Sequence, residues 1–431
     1  MLRIGFARLD VTPPLGLSLA GYFEDRKADG ILDPIQLNAV AISCGEDTLL
    51  MIAADLISMD GAQSKKIRAL IEKECGIPAD HIAINCLHQH TTIRVGAGLF
   101  GVRDGAYLEV LYRKFADVAR LSLADLREAR MESGEKQASE PLSFIRRFRM
   151  KDGSVATNPY GRVAEIDHPV GEADNTVRLL RFRREGGKDI ALVQFCTHPD
   201  VIGGTNFSAD WPGFVRRYVE NDLANAHCVL FNGAQGDTNH IDPYHIQKWR
   251  DDRYGFSAHM GRVIADAVLS LWDHTDPCAV ERLTAATAEV AVKTRTDGEE
   301  RYEEMKAFYA AYEAGTLGRK ANIAELGEAR RIMGIRTAPI YNYVHLTVFG
   351  IGDVLFVGFG GEPFTEYMHR LRREAPCKML LTGCNTNGSV GYLPTKAAFE
   401  EGGYESRGTA FVPELEELVI SKALQMCRNL Q

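Results

Sequence analysis

The chain lacks several features that would assign it to a specialised class of protein. No apolar run approaches the roughly 18 residues of a membrane span, and no basic tract offsets the formal net charge of −8. The acidic balance argues against a nucleic-acid partner or an anionic membrane surface. We also find no internal repeat, no low-complexity tract and no linker that would divide the 431 residues. We therefore expect one large domain that covers residues 1–431 and takes a small-molecule partner.

The cysteine pattern excludes a disulfide framework. The chain has nine cysteines, an odd number, and no two of them form a Cys-x-x-Cys pair. Cys86, Cys196 and Cys228 lie in or beside apolar runs. Buried thiols in a reducing compartment explain this better than disulfides. No charged segment followed by an apolar stretch opens the chain, so we expect no secretory signal and a cytoplasmic protein. A cysteine nucleophile at Cys86 or Cys196 remains an alternative.

Alternating patterns of apolar residues indicate the fold class. Residues 37–42 and 48–56 are nearly continuous apolar runs, which is typical of buried strands. A helical stripe over residues 64–75 follows, then a further strand over 82–84, and then a second long amphipathic helix over 106–131. This alternation predicts an α/β protein with mixed sheets and surrounding helices. The charged, alanine-rich segment at about 297–335 predicts a helical excursion from the main body.

A His-x-His pair stands at the end of one predicted strand. His88 and His90 follow the apolar run 82–84 and precede a glycine-rich loop at 96–98. Side chains two residues apart on a strand share a face, so both imidazoles should point the same way and Gln89 the other. Two converging imidazoles suit a metal ion such as zinc. The alternative is one histidine in the core and one in solvent.

Three further strands also end in a residue that can bind a metal or catalyse a reaction. Together with His88, these positions are Asp55, His198 and Glu362. Open α/β sheets bind ligands at such strand ends, and a buried acid such as Asp55 is costly unless it is paired or liganded. Two imidazoles and a carboxylate with one open position form the catalytic zinc pattern, so we expect Zn²⁺. The alternative is a set of hydrogen-bonded groups that cap strand ends.

Short motifs also run through the chain in one order, from residue 4 to about 410. They are Ile4-Gly5, Asp10-Val11-Thr12-Pro13-Pro14, Gly21-Tyr22, Ala53-Ala54-Asp55, His88-Gln89-His90-Thr91, Ile145-Arg146-Arg147-Phe148, His198-Pro199, Ser208-Ala209-Asp210, Gly236-Asp237-Thr238-Asn239, Gly360-Gly361-Glu362-Pro363, Gly391-Tyr392-Leu393-Pro394-Thr395 and Tyr404-Glu405. In this order they resemble the catalytic domain of the neutral (alkaline, non-lysosomal) ceramidases, which are zinc-dependent amidases. A match in order is more specific than any single short motif.

The resemblance implies a role for each matched position. It implies a zinc ion held by His88, His198, Glu362 and Tyr392. It implies that substrate binding or catalysis involves His90, Arg147, Tyr392 and Tyr404. His90 would bind substrate or transfer a proton, and the arginine and Tyr404 would bind the substrate or its oxyanion.

The resulting prediction is a zinc-dependent amidohydrolase that cleaves a linear N-acyl amide with metal-activated water. The sequence departs from the family in three ways. Asn239 stands where the family has a serine, the family's C-terminal immunoglobulin-like domain has no counterpart, and no secretion signal is seen. We therefore expect a substrate other than ceramide. Two alternatives remain: a metal-dependent enzyme acting on a polar sugar or hydroxy acid, and a non-catalytic small-molecule binding protein.

Overall fold

The computed structural model describes residues 1–96, 101–246 and 250–430, so most of the predicted glycine-rich loop at 96–98 lies outside the described residues. The fold is α/β, with mixed sheets and surrounding helices, which confirms the predicted class. The α-helices span Gly61–Cys75, Gly105–Ala124, Asp210–Asp222, Arg253–Leu271, Tyr302–Glu313, Ile323–Gly334, Thr365–Glu374, Lys396–Glu401, Tyr404–Gly408 and Leu415–Leu430. Short 3₁₀ turns span Ala79–His81, Val163–Glu165, Glu299–Arg301 and Ile335–Thr337.

A large mixed sheet forms the body of the protein. Its strands lie in the spatial order Ala226–Asn232, Asp189–Phe195, Thr176–Arg184, Arg127–Gln137, Leu2–Asp10, Gln36–Cys44, Asp47–Ala54 and Ile82–Cys86, and Asp276–Cys278 also pairs with Arg127–Gln137. The pair at each end is parallel, and the pairs between them are antiparallel. The two end strands approach each other, because the backbone N–H of Asn232 donates to Oδ1 of Asn85 at 3.1 Å.

The strand Gln36–Cys44 of this sheet is buried on both faces. Along Gln36–Cys44, Val40 and Ile42 pack into one apolar cluster, while Ala39 and Ala41 pack into another on the opposite face. Burial of a large aliphatic side chain stabilises the fold by roughly 1.5–3 kcal/mol. Burial on both faces explains why the sequence of this strand is almost continuously apolar rather than alternating.

A second sheet carries Glu362 toward the first. Its strands lie in the order Leu283–Lys293, Tyr341–Ile351, Val354–Phe359 and Met379–Gly383. Beyond the third of these strands, the short strands Glu362–Pro363 and Tyr392–Leu393 pair in parallel, with Glu362 opposite Tyr392. The backbone N–H of Cys384 donates to the carbonyl of Asn232 at 2.9 Å, which joins the two sheets near their strand ends.

Smaller strand groups complete the fold. Val155–Thr157, Arg147–Met150 and Ile166–Pro169 form a three-stranded sheet, and the two-stranded pairs are Asn206–Phe207 with Gly30–Ile31, Thr238–Asn239 with Phe144–Ile145, and Ser18–Leu19 with Arg26–Lys27. Within the described ranges, no helix combines the length and the apolar character that crossing a membrane requires.

Two predicted helix boundaries are wrong. The helix expected over residues 106–131 ends at Ala124, because Arg127–Gln137 is a strand that pairs with neighbours on both sides. The helix expected from Ser64 begins at Gly61, where Asp60 and Gln63 form a reciprocal capping box. In both cases the residue types are compatible with either assignment, and tertiary pairing or a better cap decides.

Residues 302–334 form two helices and their connecting loop, in the region of the predicted excursion; we call this segment the helical roof. Its helices share a small apolar cluster that includes Met305, Tyr309 and Ile332. The hydroxyl of Tyr312 donates to the carbonyl of Phe23 at 3.0 Å. These contacts hold the roof over the end of the large sheet that carries the histidines.

Candidate metal centre

Four buried side chains from three strand ends meet beneath the roof. Ring nitrogens of His88, His90 and His198 all lie within 4.8 Å of one another. Oε2 of Glu362 lies 3.2 Å from Nε2 of His88 and 3.5 Å from Nε2 of His198. The structure therefore brings together three of the four predicted strand-end residues and adds His90.

A turn, rather than a strand, makes the two histidines of the His-x-His pair converge. The strand ends at Cys86, and His88 has a left-handed backbone with φ of 81°. The rings of His88 and His90 nevertheless lie 5.1 Å apart between centroids. Gly21 approaches so closely that a Cβ there would lie 2.7 Å from the His90 ring. Gln89, as predicted, turns elsewhere: its side-chain amide donates to Oδ1 of Asp55 at 2.8 Å.

Backbone carbonyls fix the tautomers of two imidazoles. Nδ1 of His88 lies 2.8 Å from the carbonyl of Ile57, and Nδ1 of His198 lies 3.0 Å from the carbonyl of Gln235. A carbonyl only accepts, so both Nδ1 atoms carry a proton, and in the neutral form of each ring Nε2 presents a lone pair to the cluster. Histidines that bind metals are usually oriented by such a hydrogen bond on the far nitrogen.

The donor set fits a zinc ion. Within the described residues, Nε2 of His198 and Oε2 of Glu362 are buried without a hydrogen bond, although buried polar atoms almost always have a partner. Two ligands at about 2.0–2.1 Å from a tetrahedral zinc lie about 3.3–3.4 Å apart. The two separations from Glu362 to the imidazoles, 3.2 and 3.5 Å, are close to this value.

At Glu362 and His198, electrostatics favour the protonation states that metal ligands need. Burial would raise the pKa of Glu362, but His88 and Arg146 outweigh it and hold the pKa below its usual value. Burial and the neighbouring Arg146 and histidines hold the pKa of His198 well below its usual value. Burial also acts to lower the pKa of His88, but the Glu362 carboxylate raises it above normal. An ionised carboxylate and a neutral imidazole are therefore in place.

Asp55 does not join this centre, although it too ends a strand. Its carboxylate forms a bidentate ion pair with Arg216, at 3.0 and 2.6 Å, and both side chains are fully buried. It also accepts a hydrogen bond from the backbone of Gln36 at 2.9 Å. We expected a buried acid at this position to be paired or to bind a ligand, and the structure shows that Asp55 is paired with Arg216.

The alternative cysteine nucleophiles are poorly suited to attack. Burial raises the pKa of Cys86 to about 12 and that of Cys196 to about 11. The reactive form of cysteine is the thiolate. Both side chains are therefore neutral thiols of the core at physiological pH.

A cavity of about 850 Å³ lies between the cluster and the helical roof. We call it the main cavity. His90, Arg146, Tyr392 and Tyr404 line its floor, and the roof contributes residues that include Leu317. Further apolar side chains in the lining are Phe23, Ile323 and Leu326.

The two predicted tyrosines stand beside the cluster. The Tyr392 ring lies 6.5 Å from the His198 ring, and the Tyr404 ring lies 5.4 Å from that of Tyr392. Burial, followed by the Glu362 carboxylate, raises the pKa of Tyr392 well above its usual value. Burial also raises the pKa of Tyr404. In the protein as described, both phenols are protonated and can donate a hydrogen bond.

Arg146, not Arg147, faces the main cavity. The Arg146 guanidinium lies 5.2 Å from the centre of the Tyr392 ring, and its Nε donates to Glu405 at 2.7 Å. Arg147 instead donates to Glu401 and to the carbonyl of Gly402, each at 3.0 Å, and does not line the cavity. Consecutive residues of an extended chain face opposite sides. Two adjacent arginines offer no sequence signal for which one faces inward.

Comparison with known proteins gives a fold-level likeness. No protein-family model matches the chain, and no curated protein matches it. Among solved structures, the neutral ceramidase from Pseudomonas aeruginosa has a TM-score of 0.76 at 15% identity, over 100% of this chain and 75% of that one. A ceramidase complexed with C2 has a TM-score of 0.74 at 15% identity, over 100% and 76%. The chain is thus similar in fold to ceramidases across its whole length.

Proposed function

We propose that the protein is a zinc-dependent hydrolase of linear N-acyl amides. The observation that carries the proposal is the convergence of His88, His198 and Glu362, with two orphaned buried ligand atoms, at the floor of a large cavity. The fold-level likeness to ceramidases supports the same class of reaction.

His88, His198 and Glu362 would hold the zinc ion, with Tyr392 as the candidate fourth ligand because it pairs opposite Glu362. The ion would lower the pKa of a water molecule and polarise the scissile carbonyl. His90 is an alternative third imidazole, since its ring nitrogens belong to the same cluster. Which set binds determines whether His90 is available for proton transfer.

His90 is the candidate proton acceptor. Nδ1 of His90 lies 3.4 Å from Oδ1 of Asp200, and that oxygen accepts a hydrogen bond from the Tyr22 hydroxyl at 2.6 Å. Burial and the nearby His88 hold the pKa of His90 well below its usual value, so the ring is neutral and can accept a proton. A neutral imidazole beside a carboxylate is suited to general base catalysis.

Arg146 and Tyr404 are the candidate donors to the oxyanion of the substrate. Both line the main cavity beside Tyr392, and Arg146 is held in place by Glu405. Donors that are already oriented stabilise developing charge more than flexible ones do. We thereby assign to Arg146 the oxyanion-binding role that the resemblance implied for Arg147.

The apolar part of the main cavity favours an acyl substrate over the sugar and hydroxy-acid alternative. Its lining includes Phe23, Leu317 and Leu326. Apolar side chains of this kind bind a hydrocarbon chain in preference to a polyol. A binding protein without activity would have no need for the neutral His90 at the cluster.

Removal and return of the metal tests this function. The protein is dialysed against a chelator and assayed with a panel of N-octanoyl amides, then reassayed after stoichiometric Zn²⁺ is added. We expect hydrolysis to fall to background and to return with zinc. Hydrolysis that persists in metal-free protein, or cleavage of sugar substrates in preference to amides, would contradict the proposal.

A further inference from the structure

A second cavity of about 450 Å³ opens beside the main one; we call it the polar annex. The two cavities share five lining residues, which are Tyr22, Arg146, Asn158, Asp200 and Lys320, and the annex reaches His198. The histidine cluster therefore stands where the two cavities meet.

The annex carries an excess of positive charge in an acidic protein. Arg250 and Lys320 line it, and the one carboxylate of its described lining is that of Asp200. Arg146 and Arg253 also line it, but Glu405 balances the charge of Arg146 at 2.7 Å and Arg253 already interacts with another group of the protein. Two cations against one anion form a local field opposite in sign to the net charge of −8. Such a field attracts anionic ligands.

Lys320 is the cation best placed to meet a ligand at the junction. It lies in the loop of the helical roof and lines both cavities. Its neighbour Arg319 is occupied by Glu325, with two contacts of 2.8 Å. For Lys320 itself, no carboxylate of the described residues lies within ion-pairing distance of the ammonium.

The lining of each cavity indicates which end of a bound amide would lie in it. The main cavity offers the apolar side chains of Leu317, Ile323 and Leu326 for an acyl chain. The amine portion then falls in the annex, where a neutral group would leave Lys320 and Arg250 without a counter-charge from the substrate.

We propose that the substrate is an N-acylated amine whose amine portion carries an anionic group, a carboxylate in the simplest case, which binds in the polar annex through Lys320 and Arg250. The favoured class is thus the N-acyl amino acids. The inference rests on the proposed amide hydrolysis and adds the charge of the substrate to it.

A matched pair of substrates tests the charge requirement. N-octanoyl-alanine and N-octanoyl-alaninamide have nearly the same shape, but the second lacks the carboxylate. With the zinc-loaded protein, release of octanoate should show kcat/KM about tenfold or more higher for the carboxylate, since a charged hydrogen bond contributes about that factor. The preference should shrink as salt is raised, because exposed charges are screened.

Variants of the roof identify the group responsible. Lys320→Gln should raise KM for N-octanoyl-alanine about tenfold and change kcat/KM for the alaninamide much less. Lys320→Arg should restore the preference. Lys306→Gln, which removes an exposed lysine from the same roof but lines neither cavity, should change neither substrate.

The outcomes separate the two proposals. Equal hydrolysis of both substrates, or an equal loss on both in Lys320→Gln, overturns the inference and leaves amide hydrolysis standing. If neither amide is hydrolysed by the zinc-loaded protein, the proposed function fails and the inference fails with it.

Discussion

Two buried carboxylates, Asp55 and Glu362, each follow a strand of this fold, and their surroundings differ. Asp55 is completely enclosed by partners: Arg216 binds both of its oxygens, and Gln36 and Gln89 donate to it as well. Glu362 faces two imidazole nitrogens, and its Oε2 makes no hydrogen bond within the described residues.

The difference separates a structural charge from a functional one. When partners within the chain bind both oxygens of a buried carboxylate, the charge needs no further ligand. A buried carboxylate and imidazole that leave lone pairs directed at one another require a further partner. The predictions below test this distinction from the largest expected effect to the smallest.

Removing two imidazoles should abolish the metal centre. For His88→Ala with His198→Ala, we expect zinc content to fall from about one ion per chain to background, and amide hydrolysis to fall by at least about a thousandfold, because the remaining ligands cannot hold the ion. Elemental analysis and the octanoate assay measure this. His168→Ala, an exposed histidine beside Asp167, is the control and should keep both. Full metal content in the double variant would contradict the assignment.

Breaking the Asp55 pair should affect stability rather than chemistry. Asp55→Asn leaves Arg216 buried without its counter-charge, so we expect the free energy of unfolding to fall by about 3–5 kcal/mol. Urea denaturation measures the change. The folded fraction should keep its zinc and its KM. A folded variant that loses zinc would place Asp55 in the metal centre after all.

Arg146 and Arg147 provide a pair of adjacent residues with separate expected roles. Arg146→Lys should lower kcat about a hundredfold, because the planar guanidinium beside Tyr392 is a preorganised donor. Arg147→Lys should leave kcat unchanged and lower the melting temperature, because it replaces the contacts to Glu401 and Gly402. A reversed result would restore the role that the sequence assigned to Arg147.

Asp210 is intermediate between the two carboxylates and adds a pH dependence. It accepts four hydrogen bonds, from Val201, Ile202, Trp211 and Ser257, but burial still raises its pKa from 3.8 to about 7. A raised pKa contributes stability at low pH that is lost as pH rises through the folded-state value. Between pH 5 and 8 the wild type should therefore lose about 2 kcal/mol relative to Asp210→Asn. Equal pH profiles in urea denaturation would show that Asp210 is ionised throughout.

The sequence predicted the α/β class and the side chains that cluster at the candidate metal centre because both leave marks in the residue pattern. Continuous apolar runs mark the buried strands, and His88, His198 and Glu362 stand directly after such runs. The curling of the large sheet, which brings Asn85 to Asn232, is a tertiary feature with no local signature. The distance between strand ends therefore had to come from the structure.

The failures have local physical causes. His88 and His90 were expected to converge by strand alternation, whereas the left-handed backbone at His88 produces the convergence. The segment Arg127–Gln137 is rich in good helix formers, and its pairing with two strands overrides that preference. The choice between Arg146 and Arg147 depends on which face of one short segment meets the cavity, and a single sequence does not specify it.

Anomalous X-ray diffraction at the zinc edge, from crystals of the zinc-loaded protein, tests the central claim most directly. The account predicts one strong anomalous peak within about 2.0–2.2 Å of Nε2 of His88, Nε2 of His198 and a carboxylate oxygen of Glu362, with an open coordination position toward the main cavity. A peak elsewhere in the chain, or none at these three residues, would contradict it.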